Sequence, residues 1–178
     1  MSSFINHDFL KELLTKHTNL VQEFEPDYDL EFFSIPECFT LRGANIQDFD
    51  FRNYKLSGAH FINCSFSNCR FDNRDIFELS MFCCLFTDCQ IELTCSSASL
   101  FGNTHRQGSL YLKGAAEINH LTGIESEIIL DVKHSTLCNL DIDEGSFDLT
   151  MTQSKLFDLK HKNLSIFHVD LDEESVFI

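Results

Sequence analysis

From Ala44 to Leu93 the chain places a large apolar residue at every fifth position, without insertion: Ile46, Phe51, Leu56, Phe61, Phe66, Phe71, Ile76, Met81, Phe86 and Ile91. Two positions earlier the residue is mostly small, as in Ala44, Ala59, Cys64, Cys69, Cys84 and Cys89. A period of five matches neither the helical repeat of 3.6 nor the strand repeat of two. One side chain in five therefore turns inward at each step of a regular object, and fixed-period self-similarity predicts a solenoid. Before this run, Phe9, Leu10, Leu13, Leu14, Leu20, Val21 and Phe24 recur at helical spacing. They predict a helix over 6–24, with Asn6 as N-cap and Pro26 as its stop. The acidic, aromatic stretch 27–42 is expected to lead into the first coil and cover its open end.

After Leu93 the frame slips. Residues 102–108 read as a loop or insertion, and from Glu127 short alternating apolar runs return about every nine or ten residues. Two readings stand: the same solenoid in degenerate form, or a separate antiparallel sheet packed on the coil end. The division expected is 1–43 helix and cap, 44–93 regular repeat, and 94–178 degenerate continuation or packed β region.

The repeat resembles the pentapeptide-repeat family, whose motif is A-(D/N)-(L/F)-x-x. The resemblance implies an all-β fold, a right-handed four-sided β-helix with four pentads per coil, here with an N-terminal helical cap. Residues twenty apart would then stack on adjacent coils: Phe51, Phe71 and Ile91 on one face, Leu56 and Ile76 on the next, Phe61 and Met81 on the third, Ile46, Phe66 and Phe86 on the fourth. Phe49, Tyr54, Arg74 and Leu79 break the small column and imply local distortion.

Nineteen Phe and no Trp suit a narrow interior filled by stacked rings. The net charge of −15 opposes direct contact with nucleic acid and suits a basic partner or simple solvation. Of eight cysteines, Cys64 and Cys84 stack in register, as do Cys69 and Cys89; a five-residue spacing sends successive thiols to different faces, which favours core over a metal site or disulfides. No leader is apparent, and no apolar run approaches a membrane span, so a cytoplasmic protein is expected; delivery by a specialised secretion system would leave no mark.

No nucleotide-binding, hydrolase or metal motif is present, and the eight histidines are scattered. Recurrent aspartates could pair as general acid and base, but outward ladders at turns explain them equally. The expectation is a protein with no catalytic residues, no metal and no cofactor. The sharper signal lies in the residue after each apolar centre, which should point outward. Most such residues are polar, but Ile62, Phe77 and Phe82 are not, and Leu85 also points out. Contiguous outward apolar surface marks an interface with a partner or a second copy, unless the N-terminal helix covers it. Two interaction roles follow. One is an acidic imitation of DNA that meets gyrase or topoisomerase IV, as the resemblance implies for some family members, with Asp131, Asp141, Asp148 and Asp158 as its carboxylates. The other is a bacterial effector or immunity-type adaptor that holds a bacterial or host protein through Ile62, Phe77, Phe82 and Leu85.

Overall fold

The computed structural model describes residues 4–24 and 39–177. Its strands form one 13-stranded sheet, in which the strands of the described residues pair in parallel. This sheet is wound into a β-solenoid of about seven turns, with a single helix at its N-terminal end. The five-residue frame sets the first coils. Thr40–Arg42 lies under Ala59–Ile62, which lies under Leu79–Phe82. Around the corner, Asn45–Gln47, Ser65–Ser67 and Leu85–Thr87 stack in the same way. Thr40 faces His60 and Arg70 faces Gln90, a spacing of 20.

The apolar centres form continuous columns inside. Phe51 stacks on Phe71 with ring centroids 4.3 Å apart, and Phe66 on Phe86 at 4.8 Å. Phe51, Phe61, Phe66 and Phe71 also meet edge to face across the interior, so the core is a ring packing rather than an open channel. Cys64, Cys69, Cys84 and Cys89 are buried beside them. The thiols of Cys64 and Cys84 donate to the carbonyls of Leu41 and Phe61.

Corners are made by residues in the left-handed region. Asp48, Asn63, Asn68, Glu78, Cys83 and Asp88 have φ between 52° and 57°. Asn and Asp tolerate this conformation best. It persists at Cys83 because the corner amide donates to the next coil, to the carbonyl of Phe101 at 2.7 Å; Asn63 donates likewise to Phe82 and Asp48 to Ser67. In the lower coils such corners fall at 48, 58, 63, 68 and 78; higher up they fall at 125, 134, 139, 144 and 153. The long side between two corners has thus lost one residue, from ten to nine. The coil spacing shortens to 19 where Gln90 faces Ser109, and to 18 where Thr104 faces Thr122.

This explains the slipped frame. Residues 102–108, read from sequence as a loop or insertion, are instead corner, strand and corner, with Thr104–Arg106 stacked on Leu85–Thr87. The ladder then runs without antiparallel pairing through Ser109–Lys133, Thr136–Thr152, Lys155–Leu171 and Val176–Phe177. Its long sides alternate between buried and outward residues, as at Ile128, Leu130 and Val132, until the last coil, where Phe167 is exposed. At Arg74 the side chain turns outward and Asn73 is buried, and the ladder shifts register between Asn73 and Ile76, a local distortion of the kind the broken small column implied. A further device appears at one corner: Ala116, Ser135 and Ser154 each donate their amide to the hydroxyl one coil above, of Ser135, Ser154 and Ser175.

Helix α1 spans His7–Phe24, and Asn6 caps it by accepting from the amides of Asp8 and Phe9. Leu10, Leu14 and Val21 are buried. The helix lies over the open end of the first coil: Ile5 N donates to Asn45 O at 3.0 Å, His7 Nε2 meets Gln47 O at 2.7 Å, and Lys55 N donates to Thr18 Oγ1. The ladder already begins at Thr40, inside the stretch expected to be cap; residues 25–38 of that stretch lie outside the described residues.

Candidate interaction surface

With the interior filled by rings, recognition falls to the outer faces. On one side, the second outward residue of each strand forms a column: Arg42, Ile62, Phe82, Phe101, Asn119, Cys138 and Phe157. Ile62 and Phe82, expected to stack, are register partners and half-buried. Phe101 continues them, with its ring centroid 6.1 Å from that of Phe82, and is 42% exposed. His120 closes edge-on against Phe101 at 6.0 Å. Leu85 is 37% exposed just beyond the corner formed by Cys83, so it flanks the ladder. Phe77 is 45% exposed but lies before the opposite corner of the same strand, near Glu78, and does not join the column. Among the described residues, the hydrogen bonds of the helix and the residue before its cap to the coil end fall on Asn45, Gln47 and Lys55, not on Ile62, Phe77, Phe82 or Leu85.

Phe101 escaped the sequence reading for a definite reason. A strict period of twenty from Phe82 lands on Gly102, whereas the shortened coil places Phe101 on Phe82. The signal that could have found it is the αL corner: Gly102 follows Phe101 as Cys83 follows Phe82.

The four aspartates do not share a line. Asp131 is salt-bridged to Lys113 at 2.9 Å, Asp148 meets His168 Nδ1 at 3.0 Å, and Asp158 lies 3.5 Å from Lys160. Asp141 is exposed on another side, stacked between Thr122 and Lys160. On the side that carries Asp131 and Asp148, the lower coils neutralise themselves too. Arg52 forks onto Asp50 with Nε and Nη2, which holds the Asp50 carboxyl down at about 2. Arg74 spans Asp72 and Glu92.

A carboxylate row does exist elsewhere, at a corner the sequence reading did not single out. Asp48, Asn68, Asp88, Gln107, Glu125, Glu144 and Asn163 all adopt positive φ there. Amides are interspersed with the acids along it and tie some of them down. Asn68 Nδ2 donates to Asp48 Oδ1 at 2.6 Å, and Gln107 Nε2 to Glu125 Oε2 at 2.8 Å.

Among thiols, Cys83 is exposed and Cys138 half-buried, whereas Cys64, Cys69, Cys84, Cys89 and Cys95 are buried. Burial pushes Cys95 up to about 12, and in Cys69 and Cys84 the stacked neighbour's thiol, together with burial, also raises the group. No cluster of three potential metal ligands occurs among the described residues. No helix among them is long and apolar enough to cross a membrane.

Residues 40–73 match the family model of pentapeptide repeats, in eight copies. The chain carries pentapeptide repeats there, and the stacked coils are the fold those repeats make. No curated protein matches the chain. Among solved structures, one similar chain is a trypsin-treated variant of QnrB1, described as a plasmid-mediated fluoroquinolone resistance protein. It is 17% identical, the match covers 75% of this chain and 83% of that chain, and the TM-score is 0.30.

Proposed function

We propose that the protein is a non-catalytic interaction module that binds a protein partner through the apolar ladder of Ile62, Phe82 and Phe101, flanked by Leu85. The observation that supports this most is that ladder itself. Three large side chains stack outward on three successive coils, whereas the outward positions one step back on the same strands are His60, Ser80 and Ser99. A fold that can bury Phe so completely elsewhere has no packing reason to line a solvent face with it. An effector or an immunity-type adaptor is the role such a surface suits. A photo-crosslinking residue placed at position 101 should capture a partner that the same residue at position 109, on another side, does not; equal capture would contradict the reading.

A second reading, contact by charge with the DNA-binding surface of gyrase or topoisomerase IV, is supported by the corner row that carries Asp48, Asp88, Glu125 and Glu144. Its test is gyrase supercoiling with titrated protein at low and moderate salt, where charge-led contact weakens steeply as salt rises.

A further inference from the structure

Helix α1 is the only cover on the first coil among the described residues, and one polar side chain is caught beneath it. His17 is 4% exposed, yet neither ring nitrogen has a hydrogen-bond partner. Its ring leans on Phe39 with centroids 5.6 Å apart. The helical positions that share its face, Leu13, Leu14 and Val21, are apolar. From the coil side come Phe39 and the Ser57 backbone, while the Lys55 amide donates to the neighbouring Thr18. The Ser57 backbone lies close enough to favour the charged ring but makes no acceptable hydrogen bond to it. No carboxylate among the described residues forms an ion pair with His17. A neutral imidazole is tolerated here as a flat, largely apolar ring; an imidazolium would be an unpaired charge in an apolar seam, and unpaired buried charges are strongly disfavoured.

Among the described residues, the helix end is further anchored by the burial of Leu10, Leu14 and Val21, the bridge of Phe4 and the amide of Ile5 on Asn45, the His7 and Thr18 hydrogen bonds, and the His7 ring edge-on to Phe49 at 5.4 Å. The His7 contact survives protonation, because an imidazolium Nε2 still donates to Gln47 O. Among the described residues of this seam, His17 is thus the buried group on which acid acts.

We propose that α1 is an acid-released cap: protonation of His17 undocks the helix and bares the strand edge and apolar end of the first coil. The direction follows from linkage. Burial lowers the docked His17 below its ordinary 6.5. The undocked state therefore binds more protons, and docking is complete above about 6.5 and weakens as pH falls. The bared end carries Phe39, Leu41, Ile46 and Phe49, together with the edge of Asn45–Gln47 now held by Ile5 and His7, a surface prone to pair with another chain.

The test reads amide-exchange protection by NMR, corrected for intrinsic rates, at Ile5 and Leu10 in the cap and at Gln90 in the coil body. It is run on the full chain with His105→Phe, so that a second buried histidine in the coils does not add its own acid response. Between about pH 7.5 and about 5.5 the cap amides should lose protection, on the order of tenfold for the last unit, while Gln90 holds. His17→Leu and His17→Gln should both abolish the loss, the first by filling the seam and the second by keeping a polar group that cannot charge. Unchanged cap protection across this range would overturn the proposal. So would a loss that persists in both His17 variants, or one shared equally by Gln90.

Discussion

Single residues carry the solenoid through its ring columns. Phe66 is fully buried between stacked and edge-on neighbours, so Phe66→Ala should cost about 3–5 kcal/mol in urea unfolding. Ser67→Ala, one residue on and outward, should stay within about 0.5 kcal/mol. The column breaks its own rule at His105, which replaces Phe and stacks on Phe86 at 4.6 Å. Burial holds His105 down at about 3. The unfolded chain, with an ordinary histidine at 6.5, therefore binds the extra proton, and stability should fall by up to about 1.4 kcal/mol per pH unit below that value. His105→Phe should flatten this slope in unfolding curves taken at neutral and acidic pH; an unchanged slope would place the acid response elsewhere. The inward identity of Phe66 was legible from the five-residue frame alone. That of Cys95 was not, because the frame had by then slipped by a residue. Alkylation rates should separate the two classes of thiol, with Cys83 fast and Cys64, Cys69, Cys84, Cys89 and Cys95 slow in the native protein.

At the scale of elements, the corners decide what the sequence reveals. Where Asn and Asp occupy them, as at Asp48, Asn63 and Asn68, local preference and repeat agree, and the coils of 40–93 can be read directly. Higher up, His120, Glu125, His134 and Gln153 hold the same conformation. The next coil holds two of these corners by their amides: His134 N donates to the Thr152 carbonyl and Gln153 N to the Asp172 carboxylate, a cause invisible in sequence. The shortened long side is equally silent: nine residues of alternating pattern read as a strand, not as half a coil. Helix α1 was legible in full, N-cap included, since its period and Asn6 are local signals. Two element-level substitutions test this account. Gly145 has φ of 103°, and a Cβ there would stand 2.1 Å from Ser126 O, so Gly145→Ala should destabilise by more than 1 kcal/mol, about the upper end of an ordinary glycine effect. Ser154→Ala should cost about 1–3 kcal/mol, because the buried Ser135 amide loses its acceptor. Both are measured by thermal or urea unfolding, and a neutral Gly145→Ala would mean that the upper coils are packed differently.

For the whole molecule, charge and shape separate. The net −15 is spread over several sides and partly cancelled in place by Lys113, Arg52, Arg74 and Lys160, whereas the apolar ladder is concentrated on one. Its lower half, Ile62 with Phe82, was visible in the sequence as broken polarity. Its completion by Phe101, and the separation of Phe77 from it, depend on coil length and corner position. The account stands or falls on that ladder as a binding surface. The direct measurement is retention of a captured partner by the wild type and by Phe82→Ser/Phe101→Ser, with matched unfolding midpoints, over a salt series from about 0.05 to about 0.5 M. Binding that survives salt in the wild type and is lost in the double variant is the result expected of an apolar hot spot. Binding that the double variant keeps, and that salt removes from both proteins alike, would contradict it.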